Sequence, residues 1–403
     1  MEASRIGKFR AASFPWRLYC GPDALADLAA EVRRNQATRA FVICGQTVAH
    51  DTNLLHRIAD GLGPLYAGAF DRMDKDCSYT RVTEATVAAR EARADLVIAL
   101  GGGSVIQGAR VVVILLAEKG DAFELMTQYP EGKPAVSPRL MAPKMPIINV
   151  ATTPTSAMNR GGSALRNDQL DHRMEFFDPK TRPAAIFWDN DALLTAPLPL
   201  ARSTATTTFT GTLQAAAAPA ANPLVEGDNL QAFRLAARAL RRLMAEPDNP
   251  EPRIELCAAA LLQNRSIDDG FTRGGERTWS TAYALATALH IRYDHVGQGE
   301  ATSAVTAALI RRMNPQGGTA ARLAEHLGIA QAEANANPAI AAGDALEAFY
   351  KSIGMPARLR ELQIPEGDLP QLARDTLKNF NANPGERPAN YLDEMLAALR
   401  ACW

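Results

Sequence analysis

Ala99-Leu-Gly-Gly-Gly-Ser-Val-Ile-Gln-Gly-Ala109 leaves an apolar run, crosses three consecutive glycines and enters a stretch of helical character. The preceding Asp95-Leu-Val-Ile-Ala-Leu100 is short and continuously apolar after its first residue, the pattern of a parallel strand buried on both faces. A strand that turns on glycines into a helix leaves the first helical N–H groups free, and the helix dipole adds partial positive charge there. Without a Cβ, the glycines let an anion approach that backbone. The segment therefore predicts a βα unit able to seat a diphosphate, with a tight strand-to-helix turn as the plain alternative. It is not a G-x-G-x-x-G fingerprint, so the usual Rossmann inference does not transfer.

Similar units surround it. Arg39-Ala-Phe-Val-Ile-Cys-Gly45, Met145-Pro-Ile-Ile-Asn-Val150 and Ala184-Ala-Ile-Phe-Trp188 read as further strands, with helical patterns at residues 24–34 and 80–93 between them. Beyond Pro197 such runs nearly vanish, and alanine-rich patterns of helical period cover 230–244, 254–263, 281–293, 301–313, 342–353, 369–380 and 391–402. Pro and Gly cluster between them, at 314–318 and 383–388, as stop signals. The alanine tract at 215–221, broken by Pro219, reads as a packed helix end. The expected architecture is an α/β domain with a parallel sheet over residues 1–195 and an all-helical domain over 196–403.

Composition excludes several classes. The chain has 403 residues, 47% of them hydrophobic and 22% charged, which suits a folded chain of two domains. Lys and Arg number 43 against 44 Asp and Glu, so no cationic excess is available for a nucleic-acid backbone. The longest apolar runs, such as 111–117, fall well short of the roughly 20 residues of a membrane span, and the polar start lacks a signal-peptide core. A cytoplasmic protein without membrane or nucleic-acid partners is expected. Cys20, Cys44, Cys77, Cys257 and Cys402 are scattered and contain no CxxC pair, as expected of reduced, packed thiols.

A second polar cluster, Thr152-Thr-Pro-Thr-Ser156, follows the 147–150 strand. Parallel strands end on one edge of their sheet, and ligands collect at that carboxyl edge. Gly101, Gly102, Gly103 and Ser104 are therefore joined by Thr152, Thr155 and Ser156 as candidate cofactor contacts, a capping turn being the alternative.

Taken together, the Gly-Gly-Gly-Ser turn, the Thr-Thr-Pro-Thr-Ser cluster, Asp178-Pro-Lys-Thr-Arg-Pro-Ala-Ala-Ile-Phe-Trp-Asp189, the opening Cys20-Gly-Pro-Asp-Ala-Leu-Ala-Asp-Leu28 and the ending at 383–403 resemble the iron-containing alcohol dehydrogenase superfamily, above all its maleylacetate reductase branch. The resemblance runs in order over nearly the whole chain. It implies a dehydroquinate synthase-like fold, with a dinucleotide in the cleft between the domains. The diphosphate would lie on residues 101–104, and the nicotinamide would point at the helical domain.

The departures from the family pattern carry as much information. The family holds a divalent metal with an Asp and a His four apart on the first helix of the helical domain, a His opening an HxxxH pair, and a later His. Between Asp191 and Glu226 this chain has no Asp, Glu, His or Cys. The HxxxH pair falls on Tyr283 and Thr287, and the last His on Gln298 or Gly297. Such side chains are poor ligands for a catalytic divalent ion, so no bound metal is expected. Thr206, Thr207, Thr208, Thr210 and Thr212, with Gln214, either line a polar pocket on the emptied helix or simply pack.

Tyr283, Thr287 and His290 stand at i, i+4 and i+7, on one helix face, with Tyr293, Asp294 and His295 after them. In place of a metal, Tyr283 could donate a hydrogen bond to a substrate oxygen, and His290 or His295 could deliver a proton near neutral pH. The remaining histidines, at 50, 56, 172 and 326, are expected at the surface. Family members that prefer the unphosphorylated cofactor carry an Asp after the first long strand, where this chain has Gly45-Gln46-Thr47. Nothing there excludes a 2′-phosphate, yet no adjacent Arg or Lys attracts one. NADH and NADPH both stay open, with a lean to NADH because the reductase branch lacks that Asp too.

The expected function is a metal-independent NAD(P)H-dependent reductase acting on a carbonyl, imine or activated double bond of a small molecule, in a homodimer. A noncatalytic relative kept for binding or assembly, and a maleylacetate reductase-like enzyme, are the alternatives.

Overall fold

A computed structural model describes residues 8–130, 133, 135–170, 172–220, 222–272, 277–315, 318–330, 336–378 and 391–403. Six strands, β1 (Arg17–Gly21), β2 (Ala40–Cys44), β3 (Tyr66–Phe70), β4 (Leu96–Gly101), β5 (Ile147–Ala151) and β8 (Ala185–Asp189), form a parallel sheet in the order β1-β8-β5-β4-β2-β3. The remaining two, β6 (Gly162–Leu165) and β7 (Met174–Phe177), form an antiparallel hairpin apart from it.

Alternation along the strands divides the core into two layers. Val42, Cys44, Ile98, Leu100, Ile148, Val150 and Phe187 face α1 (Leu28–Arg34) and α3 (Leu54–Leu62). On the other face, Phe41, Ile43, Val97, Ala99 and Ile147 pack against α4 (Tyr79–Glu91) and α5 (Gly103–Ala117). The short α2 (Gln46–His50) follows β2, α6 (Ala122–Leu125) follows α5, and α7 (Asn190–Leu194) follows β8.

From Leu198 onward every described element is helical. The principal ones are α8 (Leu198–Ala217), α9 (Pro223–Ala245), α10 (Pro250–Asp268), α11 (Arg277–Arg292), α12 (Gln298–Met313), α13 (Thr319–His326), α14 (Pro338–Ser352), α15 (Leu369–Asp375) and α16 (Tyr391–Cys402). Two apolar clusters hold them, one centred on Phe209, Leu240, Leu256 and Tyr350, the other on Leu285, Val305, Leu372 and Leu399. Asn314, in the left-handed conformation with φ of 46°, ends α12 where the sequence places a stop signal. Residues 379–390 lie outside the described part, so the end of the 369–380 helix and the second Pro/Gly cluster do too. We keep the proposed division at residues 195–196, which falls between α7 and α8.

The four strands expected from the sequence are present, and β1, β3 and the β6–β7 hairpin are additions to them. The first helical pattern, 24–34, is split into a 3-10 turn at Ala24–Asp27 and α1. All five cysteines are free, and all but Cys20 are buried. Burial pushes the Cys44 thiol up to about 12, which makes it a packing residue and not a nucleophile. No helix among the described residues is long and apolar enough to cross a membrane.

Candidate functional site

The register of the sheet lines up the candidate residues. Cys44 pairs with Leu100 and Gly101 with Ala151, so Gly45, Gly102 and Thr152 follow each other along one carboxyl edge. The Thr152 amide donates to the Gly101 carbonyl at 3.2 Å, carrying the ladder one step past the strands. Gly102 caps α5 from an extended conformation.

The glycines answer first to the protein's own packing. A Cβ on Gly101 would sit 2.7 Å from Val105 Cγ2, one on Gly102 2.9 Å from Thr153 Oγ1, and one on Gly103 2.9 Å from Thr155 Oγ1. The turn and the Thr-Thr-Pro-Thr segment therefore interlock. Thr155 Oγ1 accepts the Ala157 amide at 3.1 Å, which makes this segment a hydroxyl-closed turn, and the Ser156 carbonyl accepts from Asn264 of α10 at 2.8 Å. Thr153, which the sequence reading passed over between two residues that it chose, is 2% exposed and its Oγ1 has no hydrogen-bond partner. An unsatisfied buried hydroxyl costs about 1–3 kcal/mol. A ligand oxygen reaching the turn would relieve that cost.

Ser104 connects this turn to the helical half. Its Oγ accepts the Asp76 amide at 3.1 Å, and the Asp76 carboxylate lies 3.4 Å from Nδ1 of His290 near the end of α11. Asp76 and Cys77 both hold left-handed φ values, 60° and 40°. Such residues cost on the order of 1–3 kcal/mol each and persist where their surroundings over-determine them. Here the Ser78 amide donates to Asp74 Oδ1 at 2.7 Å and the Arg166 amide to the Asp76 carbonyl at 3.1 Å. Next to them, Lys75 Nζ donates to the carbonyls of His290, Asp294 and Val296 at 3.2, 2.9 and 3.1 Å. A cation on the last carbonyls of a helix is favourable for both hydrogen bonding and the dipole.

Burial pushes the His290 pKa below its ordinary 6.5, against the opposing pull of Asp76. Burial alone would raise Asp76, but the hydrogen bond to His290 together with the charges of His290, Arg173 and Lys75 outweighs it and holds the carboxyl below 3.8. Near neutral pH the pair is therefore a carboxylate and a neutral imidazole. Its Nδ1 hydrogen is directed to Asp76, leaving Nε2 as an acceptor that is buried and has no partner. Burial works against the ionisation near neutrality expected from the sequence, and Asp76 works for it.

Tyr283 and Thr287 share the α11 face with His290; Tyr283 is half-buried and Thr287 is 4% exposed. His295 is exposed, and its Nε2 meets the Leu362 carbonyl at 3.1 Å, while the Tyr293 hydroxyl donates to Asp368. These two side chains are engaged by the 359–368 segment, whereas His290 is engaged by the loop beside the glycine turn. His50 and His56 lie at the surface beside Asp71 and Asp60.

On α8 the threonines pack. Thr206, Thr207, Thr208 and Thr210 return their hydroxyls to the carbonyls four residues back, and Thr212 to Phe209. Thr208 also reaches the Pro154 carbonyl at 3.2 Å, tying α8 to the cluster after β5. Beside them Ser203 Oγ donates to Glu300 at 2.5 Å and accepts the Gly299 amide at 3.1 Å. A side chain at Gly297 would begin 2.2 Å from Glu300 Oε2. The space is filled by this chain's own hydrogen bonds.

A sequence model described as iron-containing alcohol dehydrogenase matches residues 15–190, and one for the C-terminal part of that family matches residues 204–403. The chain belongs to the iron-containing alcohol dehydrogenase family. It is an oxidoreductase of that family, with a small molecule as substrate. The 1,3-propanediol dehydrogenase of Citrobacter freundii is 24% identical over 383 residues, 92% of this chain and 93% of that one. Maleylacetate reductase 2 of Cupriavidus pinatubonensis is 36% identical over 109 residues, 27% of this chain and 30% of its own length. The crystal structure of maleylacetate reductase from Rhizobium sp. strain MTP-10005 superposes with a TM-score of 0.73 at 21% identity, covering 98% of each chain.

The iron in the family's name does not fit the donors found here. Among the described residues no three His, Cys, Asp or Glu side chains come together as a metal site. The threonine hydroxyls of α8 are committed to backbone carbonyls and that of Ser203 to Glu300, and hydroxyl or amide side chains do not replace carboxylate and imidazole ligands.

Proposed function

We propose that this member of the iron-containing alcohol dehydrogenase family is a metal-independent NAD(P)H-dependent reductase of a carbonyl, imine or activated double bond in a small molecule. The observation that carries the reading is the buried, unpartnered Nε2 of His290, linked through Asp76 and Ser104 to the glycine turn. A dinucleotide seated on Gly101, Gly102, Gly103 and Ser104 supplies hydride. The chain's own residues then have to seat the diphosphate, orient the substrate and manage one proton.

Free amides at the start of α5, together with Thr152, Thr153, Thr155 and Ser156, are the donors proposed for the phosphate and ribose oxygens. Tyr283 donates a hydrogen bond to the substrate oxygen or nitrogen, with Thr287 beside it. In the reducing direction the imidazolium of His290 releases its Nε2 proton to the product, and Asp76 balances the charge while His290 is protonated. In the oxidising direction neutral Nε2 accepts that proton. His295 is the secondary candidate for proton delivery. We propose the cytoplasm as the location and a homodimer as the working assembly.

Two expected results test this. Purified protein should contain no stoichiometric iron or zinc and should keep its activity in chelator; about one tightly held divalent ion per chain by elemental analysis overturns metal independence. The pH dependence should have opposite signs in the two directions. Because His290 titrates below 6.5, oxidation should fall and reduction rise as the pH drops beneath that value. Initial rates measured in both directions between pH 5 and 8 check this, and parallel profiles would remove His290 from the proton path.

A further inference from the structure

We infer that Arg72 and Arg81 form a site for the 2′-phosphate of the dinucleotide, so that this chain prefers NADPH to NADH. The inference rests on the dinucleotide reading above and deepens it.

A cavity of about 310 Å³ opens at the carboxyl ends of β2 and β3, lined by Gly45, Gln46, Thr47 and Val48 together with Arg72, Met73, Asp74 and Arg81. Register places it beside the glycine turn, since Cys44 and Leu100 are paired and Gly45 and Gly101 follow them directly. Neighbouring strands are about 4.8 Å apart, so a dinucleotide with its diphosphate on the turn has its adenosine ribose within reach of this cavity. In folds of this kind an acidic side chain takes the unmodified ribose 2′-hydroxyl, and an arginine accommodates a 2′-phosphate.

The wall of this cavity is arginine-rich in the sense that matters. Arg81 lies 2.8 Å from Glu84 and Arg72 3.8 Å from the same oxygen, so two guanidinium groups share one carboxylate. Arg72 is held 5.3 Å over the Phe70 ring, which steers it toward the end of β3. The acidic residue of the lining, Asp74, is already committed. Its Oδ1 takes the Ser78 amide at 2.7 Å, and its Oδ2 pairs with Arg166 at 3.7 Å. A dianionic phosphate would compete with the single Glu84 carboxylate for charge-assisted contacts from two guanidinium groups, whereas a bare ribose hydroxyl would meet Asp74 only in exchange for its present partners. Both side chains are partly exposed, 54% and 39%, so a ligand can reach them. The two arginines are remote from Gly45 in sequence and reach it only through the fold.

The test is calorimetric titration of the intact protein with NADPH, NADH, adenosine 2′,5′-bisphosphate and adenosine 5′-monophosphate. Wild-type protein should bind each 2′-phosphorylated ligand on the order of 10-fold more tightly than its counterpart, and that difference should shrink in high salt. Arg72→Gln and Arg81→Gln should each remove most of the difference while leaving NADH affinity and melting temperature unchanged. NADH bound as tightly as NADPH overturns the 2′-phosphate site and leaves the dinucleotide reading standing. Equal weakening of both dinucleotides in the variants also overturns it, and failure of all four ligands to bind overturns both proposals together.

Discussion

Gly102→Ala should weaken dinucleotide binding on the order of 10²-fold, about 2.8 kcal/mol. The added Cβ would fall 2.9 Å from Thr153 Oγ1, a side chain 2% exposed and unable to retreat. The turn and the threonine segment must then part by several tenths of an ångström, which misaligns the amides that start α5. Overpacking of this kind also costs about 1–3 kcal/mol of stability, so binding has to be separated from folding. Thr153→Ala provides the means, because it removes the atom that the new methyl meets, and with it a hydroxyl that has no partner. The double variant Gly102→Ala/Thr153→Ala should recover the wild-type melting temperature without recovering affinity. Thr153→Ala alone should keep its stability and lose part of its affinity. Fluorescence titration with NADPH beside calorimetric melting reads both quantities. Wild-type affinity in Gly102→Ala would remove the glycine turn from the cofactor site.

His290→Asn and Tyr283→Phe should each lower turnover on the order of 10²-fold while leaving dinucleotide affinity within a factor of about two. Asparagine is chosen because its amide can still donate to Asp76, which alanine cannot do. The variant keeps the connection to Ser104 and lacks only Nε2. Removal of a transition-state donor should therefore appear in kcat at constant cofactor Kd. Steady-state kinetics on an identified substrate, paired with cofactor titration, separates the two. Full turnover in both variants would overturn the assignment of this α11 face.

The strands legible in the sequence are those buried on both faces. Four of them, β2, β4, β5 and β8, read as largely apolar runs, interrupted by Asn149 in β5 and closed by Asp189 in β8, because helices cover both sides of the sheet. The two edge strands were missed for a physical reason. Tyr66-Ala-Gly-Ala-Phe70 has no β-branched residue, and Arg17-Leu-Tyr-Cys-Gly21 is partly exposed, so neither shows such a run. The helical half was legible almost throughout, since its period is local.

The same division holds for the site. A glycine turn is a local signal, and it was found. The connection from Ser104 through Asp76 to His290 spans segments that are separate in sequence, and nothing in the residues around position 76 points to position 290. The charged triplet Asp74-Lys75-Asp76, shortly after the end of β3, was the available hint. The threonines of α8 misled in the opposite direction: a row of hydroxyls suggests a polar pocket until the carbonyls of the preceding turn absorb them.

Lys75 gives the cleft a fixed corner. One side chain from the sheet half closes three carbonyls, that of His290 in the last turn of α11 and those of Asp294 and Val296 just beyond it. Lys75 thus ties Asp76, its neighbour in sequence, to the end of the helix that carries His290, so the carboxylate and the imidazole are held to one another by main chain as well as by their own 3.4 Å contact.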